Sequence, residues 1–525
     1  MKSAVWILPS FALLAAFASS TYAQQNDQDQ YPNPEGAGIR KTLAQEIGAG
    51  RGDVNTLDSS LFIIKRDPFR AIRRGRQLFQ RKFTIGQGFG PRVGDGSGDF
   101  LIGPAPTAGL ADSCAACHGR PVGSAGAGGD VFTRPDSRDA PHLFGLGLVE
   151  MLADEITSEL RAQRDTALNQ AISSGRPVTQ AMTSKGISYG SIRALPNGTV
   201  ELSGLDGVDP DLRVKPFFAH GGQFSIRAFA VGAFQDEMGL QAVDPDLTAA
   251  AAGGRVVTPA GLILDGAHDA ISPPPCVSAL VDPDGDGKVN EIPTSLVDYM
   301  EFYLLNYFRP ATFEETNPVR KGRKVFETIG CAVCHIPDLV IQRDRRVADV
   351  STVFDRQRGV MNQLFATATP LLTASSDGSS FPAIKTPAGN PFVVRGIFAD
   401  FKRHDLGPAF HERNFDGTIR TKFMTEPLWG VSTTAPYGHD GKSVNLKAVI
   451  LRHGGEAQAA RDAFDHLSDE AEADLLVFLH SLVLFPPDHT ASNLDPGNPA
   501  APDYPTRGQG SIRLTALFND PTDPE

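Results

Sequence analysis

Two pentads in this chain have the residue types and the spacing to hold a redox cofactor covalently. Cys114-Ala115-Ala116-Cys117-His118 and Cys331-Ala332-Val333-Cys334-His335 both read C-x-x-C-H. Two thiols three positions apart on a helical turn reach the two vinyl groups of one porphyrin. The adjacent histidine then lies beneath the ring and supplies an axial nitrogen to iron. The pattern predicts two covalently bound c-type haems, attached at Cys114, Cys117, Cys331 and Cys334, with His118 and His335 on the irons. A redox dithiol needs no following histidine, and a zinc site needs a second Cys or His pair close by. The fifth cysteine, Cys276, follows three prolines and reads as a shielded structural thiol.

The elements around the pentads also occur twice. Arg74-Gly75-Arg76-Gln77-Leu78-Phe79 precedes the first, and Lys321-Gly322-Arg323-Lys324-Val325-Phe326 precedes the second. Pro141-His142-Leu143-Phe144-Gly145 is echoed by Pro427-Leu428-Trp429-Gly430. Each half then closes on an apolar segment with helical periodicity followed by proline, over 296–310 and 475–486. The expectation is a mainly α protein: two cytochrome c-like haem domains in tandem, with long loops and extended tails. The first domain is expected over 57–310 and the second over 311–486, with a polar segment at 24–56 and an extended tail at 487–525. A Ser/Thr/Gly/Pro-rich stretch at 367–392 reads as a surface loop. At 525 residues and 41% hydrophobic content, the chain is long enough for two cores without disulfide staples.

The N-terminus gives an address. One early positive charge at Lys2, an apolar run from Ala4 to Ala18 and the small residues before Gln24 describe a signal peptide over 1–23. The run is shorter than the ~20 residues a membrane span requires. Export to the periplasm is expected, with no stable membrane span after signal removal. A net charge of −12 argues against nucleic acid as a partner.

The two halves differ where an iron's second axial position would be filled. Phe218-Ala219-His220 through Ala233 aligns with Tyr437-Gly438-His439 through His453 when one gap is allowed. His220 then matches His439, Arg227 matches Lys447, and His453 matches Ala233. His453 is a candidate sixth ligand for the second haem, whereas a methyl group cannot ligate. A haem with one protein ligand leaves a face for peroxide or dioxygen, and a haem with two only moves electrons. The first haem is therefore expected to do the chemistry and the second to relay electrons, unless His142 closes the first. Glu237 lies four residues beyond Ala233, one helical turn, and is a candidate general acid–base group. Arg227 is a candidate for stabilising the charge on a departing oxygen.

These residues carry a family likeness. The two pentads, the Ala435-Pro436-Tyr437-Gly438-His439-Asp440-Gly441 stretch and Glu237-Met238-Gly239 resemble the bacterial di-haem cytochrome c peroxidases. The stretches 139–147 and 427–430 are more similar still to the di-haem oxidoreductase branch of that superfamily, which includes peroxidase-like and thiol oxidoreductase members. The likeness runs from about residue 60 to 490. It implies that Glu237 is the catalytic acid–base residue. It also implies methionine at the position of His453, so the histidine points to a lower-potential second haem, as in the related rubber oxygenases. A tryptophan expected between the haems is replaced here by Phe217–Phe218, which leaves Trp429 as the candidate aromatic relay.

Asp282-Pro283-Asp284-Gly285-Asp286-Gly287 has carboxylates at alternating positions and a turn glycine, the first half of a calcium loop. Pro293 stands where a closing carboxylate belongs, so Asp282, Asp284 and Asp286 form a candidate calcium site with another closing group, for which Glu291 is available. The sequence thus predicts a peroxidase-like di-haem oxidoreductase that reduces hydrogen peroxide with electrons from a small donor cytochrome. Use of dioxygen on a larger substrate, and a pure electron carrier, remain open at this point.

Overall fold

The computed structural model describes residues 42–88, 111–118, 130–131, 138–274, 276, 278–282, 287–306, 309–312, 316–354, 364–414 and 417–482. The signal segment 1–23 and the tail 487–525 lie outside them. Among the described residues 39% are helical and 17% are in strands. The expectation of a mainly α protein is therefore corrected to a mixed α and β architecture. The physical reason is that most strands span only two to four residues, too short to show alternation in sequence.

Twelve α-helices occur among the described residues. The first half holds α1 (Leu43–Ile47), α2 (Ser60–Arg66), α3 (Pro68–Gln80), α4 (Cys114–His118), α5 (Leu146–Ser174), α6 (Ile226–Asp236), α7 (Pro245–Ala251) and α8 (Thr294–Asn306). The second holds α9 (Asn317–Thr328), α10 (Leu446–Arg452), α11 (Gln458–Asp465) and α12 (Asp469–Ser481). Their starts are written locally. Ser59, Ser225, Asn445 and Ser468 each accept a first-turn N–H with the side chain, worth about 1 kcal/mol apiece.

The repeated R/K-G-R motif has a packing cause. α3 crosses α8 at Gly75, where a Cβ would lie 2.3 Å from the Tyr299 carbonyl oxygen and 2.3 Å from the Tyr303 Cβ. α9 crosses α12 in the same way at Gly322, where a Cβ would come within 1.9 Å of the Asp474 carbonyl oxygen. Any side chain at either glycine would force the helices apart. Each pentad thus sits beside one such helix pair.

Sheets occupy the segments between. Val178–Ser184, Ile187–Ala194 and Val200–Glu201 form an antiparallel meander. Its two-residue turn, Lys185-Gly186, has φ of 49° and 81°, the left-handed pair that a twisted hairpin favours. Lys185 Nζ then bonds Glu155 of α5 and the Val340 carbonyl, both at 2.6 Å, and so ties the meander to the second half. Ala348–Phe354 pairs antiparallel with Leu364–Pro370 and parallel with Arg309–Thr312.

The stretch expected as a surface loop contains a hairpin, Leu372–Ser375 with Ile384–Pro387. Fully buried Arg66 pins it, donating to the Pro382 carbonyl at 2.6 Å and to Asp377 at 2.5 Å. A large core runs from Phe62 through Phe234 and Tyr303 to Ile397 and Trp429. A smaller one gathers Val319, Phe326, Phe398, Phe464 and Phe478 around the second pentad. No helix among the described residues is long and apolar enough to cross a membrane.

Candidate functional site

The first pentad forms α4, a single turn whose entry is fixed by Ser113, which accepts the Ala116 N–H at 3.1 Å. His118 Nδ1 lies 2.7 Å from the Pro141 carbonyl oxygen. A carbonyl can only accept, so Nδ1 carries the proton and Nε2 keeps its lone pair. Burial pushes the His118 pKa down to about 4, only partly opposed by that hydrogen bond, and the ring stays neutral. Burial also pushes the Cys114 thiol up to about 12. A reactive dithiol relies on a lowered thiol pKa. These sulfurs remain protonated, which disfavours the dithiol alternative.

The second pentad repeats this arrangement. Cys331–Val333 is a 3-10 turn, and His335 Nδ1 lies 2.9 Å from the Phe398 carbonyl oxygen. Burial again sets the imidazole to about 4 and pushes Cys331 up to about 12. Phe326, Phe398 and Phe478 pack edge to face in a cluster beside the ring.

What faces the two histidines differs. In the second half α10 ends on His453, whose Nδ1 is tied to the Val449 carbonyl oxygen at 2.7 Å, leaving Nε2 available. Burial lowers the His453 pKa, Phe410 packs edge-on to its ring at 5.3 Å, and the ring is close enough to act electrostatically on His335. In the first half α6 carries Gly232 and Ala233, and a Cβ built on Gly232 would meet nothing within 4 Å. The C-cap of α6 is Glu237, whose carbonyl accepts the Ala111 N–H at 3.3 Å. Burial raises the Cys117 thiol, and the nearby carboxylates of Glu237 and Asp112 raise it further. Glu237 is therefore placed at the first pentad. Two neutral histidines whose Nδ1 atoms are tied to carbonyls, each preceded by a pair of cysteines, suit haem.

Residues 343–482 match the family described as "Di-haem oxidoreductase, putative peroxidase". Over this stretch the chain is similar to the di-haem oxidoreductases. It contains His404, Trp429, His439 and His453, while both pentads precede it. Among solved structures, the chain is similar to hydrazine synthase of Kuenenia stuttgartiensis, with 17% identity and a TM-score of 0.21. That likeness covers 36% of this chain and 55% of that one. A MauG-like protein associated with microbial copper homeostasis gives 14% identity and a TM-score of 0.24, over 66% of this chain and 89% of that one. The chain spans about half the length of the first of these. Likenesses this slight define neither fold nor activity. Comparison with curated proteins gives no match. The family assigns an oxidoreductase role and haem cofactors at a coarse level.

The remaining candidate residues fall into three places. Arg227 is fully buried on α6 and faces away from solvent into acids: Asp244 at 2.7 Å, Glu301 at 2.8 Å and Asp298 at 2.9 Å. Burial alone would lower its pKa, but these carboxylates raise it well above the usual range. Its sequence counterpart Lys447 pairs with Glu472 of α12 at 2.6 Å. Both residues therefore link the helix facing a pentad to the closing helix of the same half.

Asp282 accepts the Gly287 N–H at 2.9 Å, while Asp284 and Asp286 lie outside the described residues. Glu291 is buried and accepts the Gln241 N–H at 3.1 Å. His220 and His439, matched in sequence, are both stacked on phenylalanines, Phe218 and Phe423.

Sequence reasoning missed a polar group beside the second pentad. His404 lies between Asp400 (2.8 Å) and Glu456 (2.6 Å). Burial disfavours its charge, but the hydrogen bonds it donates to Asp400 and the Cys334 sulfur outweigh that and push it up to about 11. Cys334, Asp400 and His404 offer three ligand atoms within 4.8 Å of one another. The Asp400-x-x-x-His404 spacing was the only local signal for it.

Proposed function

We propose that this protein is an exported di-haem c-type oxidoreductase that reduces hydrogen peroxide at the site of His118. Electrons enter through the site of His335 from a small reduced cytochrome, and the N-terminal signal directs the chain to the periplasm. The observation that carries this reading is the unequal pair: matching carbonyl ties behind His118 and His335, but a carboxylate, Glu237, near the Cys117 thiol of one pentad and an imidazole, His453, near His335 of the other.

Cys114 and Cys117 would hold one haem with His118 beneath it. Cys331 and Cys334 would hold the other between His335 and His453. Haem, when bound, supplies one-electron redox chemistry and a Lewis-acidic iron. The chain's residues do the rest. Pro141 and Phe398 fix the tautomer of the two pentad histidines, and burial keeps both uncharged. His453 denies small molecules the second site. Glu237 takes a proton from one peroxide oxygen and returns it to the other, so that the peroxide, two electrons and two protons give two waters. In this reading the Cys334 sulfur is committed to attachment, and His404 with its two carboxylates forms a charged girdle beside the relay site.

Low-temperature electron paramagnetic resonance of the oxidised holoprotein tests the reading. One high-spin and one low-spin ferric haem are expected, with peroxide turnover supported by a reduced cytochrome. Two low-spin signals that persist after partial reduction would reduce the protein to an electron carrier. Oxygen uptake with an organic substrate and no peroxide turnover would transfer the assignment to dioxygen.

A further inference from the structure

The two pentad histidines are joined from behind by a continuous bonded run. His118 donates from Nδ1 to the Pro141 carbonyl at 2.7 Å, and the next residue is His142. His142 Nε2 lies 2.9 Å from the Trp429 carbonyl oxygen. On the other side, Leu428 donates its N–H to the Ile397 carbonyl at 3.1 Å. The following carbonyl, that of Phe398, is the one that holds His335 Nδ1 at 2.9 Å. Between the two imidazoles, every step is a covalent bond or one of these four hydrogen bonds.

We propose that this run, with the His142 imidazole as its central link, is the electron path between the two redox sites; the inference rests on the di-haem reading above. One electron leaves the reduced site at His335, which is oxidised, and enters the oxidised site at His118, which is reduced. No bond breaks and no proton is exchanged.

The setting of His142 fits a link rather than a ligand. Because Pro141 supplies the carbonyl behind His118, its neighbour His142 lies on the same side of that histidine, where the two rings interact electrostatically. The Trp429 carbonyl can only accept, so Nε2 carries the proton and Nδ1 does not. Nδ1 is buried with no hydrogen-bond partner. An unpaired buried ring nitrogen costs stability, and a phenylalanine there would avoid that cost. What the histidine adds is the Nε2–H bond across to Trp429.

The surroundings are apolar and tight. Leu143, Phe144 and Trp429 are buried, and a Cβ on Gly145 would lie 2.5 Å from the Trp429 ring. The Trp429 indole N–H points elsewhere, to the Arg395 carbonyl at 3.4 Å. The path therefore uses the tryptophan's backbone and not its ring. Ile397 belongs to the larger core and Phe398 to the smaller, so the run crosses where the two cores meet.

The test compares the full-length holoprotein with His142→Phe, His142→Gln and Trp429→Phe. Haem content is counted by the pyridine haemochrome spectrum, and both midpoint potentials are titrated. The rate of inter-haem electron equilibration is then followed optically after substoichiometric photoreduction by a flavin. His142→Phe is expected to slow equilibration by about tenfold or more, equivalent to about 1.4 kcal/mol on an activation barrier. His142→Gln, which keeps an N–H donor, should recover much of the rate, and Trp429→Phe, which keeps the carbonyl, should slow it little. Unchanged equilibration in His142→Phe with both haems and both potentials intact overturns the path alone. A large loss confined to Trp429→Phe overturns it in favour of the indole. A wild-type protein with one haem or none overturns the di-haem reading, and the path with it.

Discussion

Arg227→Ala separates a bracing role for this arginine from a catalytic one. The guanidinium meets three fully buried carboxyl side chains, those of Asp244, Asp298 and Glu301, between 2.7 and 2.9 Å. Removing it leaves their charge uncompensated, a loss of about 3–5 kcal/mol for a single broken buried pair. Part of that is relieved by proton uptake, because burial already raises Glu301 to about 7 with Arg227 present. A loss of this size corresponds to a fall in Tm of roughly 10 °C in a core of this extent. The expected result is a clear fall in Tm by scanning calorimetry of the holoprotein. Peroxide turnover per folded molecule, measured well below the new Tm, should stay within a few-fold of wild type. Lys447→Ala, at the matching position, breaks only a surface pair with Glu472 and should shift Tm far less than Arg227→Ala does. A variant with wild-type Tm and a turnover lowered a hundredfold would refute the brace and return Arg227 to the reacting oxygens.

Three further outcomes are expected. Glu237→Gln should slow peroxide turnover by at least ~100-fold, the scale for losing a general acid–base group, while both haem spectra stay unchanged; full activity would remove Glu237 from the chemistry. His453→Ala should convert the second site from low-spin to high-spin in the oxidised spectrum, and persistence of the low-spin signal would show that another group fills that position. Burial raises Glu301 from 4.5 to about 7 against the pull of Arg227. A carboxyl with a raised folded pKa contributes stability that is full below its unfolded value and is lost as pH rises through the folded one. Tm should therefore decline between about pH 4.5 and 7, and Glu301→Gln should flatten that slope.

The chemistry was more legible in the sequence than the architecture. The pentads specify their own local turns, so Cys114–His118 and Cys331–His335 could be read without knowing what surrounds them. The repeated glycines were visible as a repeat, but their cause, helices touching backbone to backbone at Gly75 and Gly322, needs the partner helices in place. The strands were missed because short segments such as Leu339–Ile341 and Phe392–Val394 pair across more than 50 residues and carry no period of their own. Arg66 shows the same limit: the stretch at 367–392 has a loop's composition, and its order comes from an arginine some 310 positions away. His142 and Trp429 were each noticed separately in sequence. Only the fold makes them neighbours.

The difference between the two sites comes down to where one helix stops. Ser225 caps α6 and Asn445 caps α10, so the two helices start in the same register, and Ala233 and His453 both stand eight positions past their caps. α10 ends there. His453 leaves helical geometry at φ −59° and ψ 132°, followed by Gly454-Gly455, and its ring folds back so that Nδ1 meets the Val449 carbonyl. α6 continues for another turn because Phe234 is buried and keeps that turn packed. The continued helix keeps a methyl group at the ligand position and delivers a carboxylate, Glu237, at its own C-cap. On the proposed reading, a single change in helix length therefore removes an axial ligand and supplies an acid–base group together. Substituting Ala233 with histidine alone would not equalise the two sites, since the ring would stay within a continuing helix and Glu237 would remain in place.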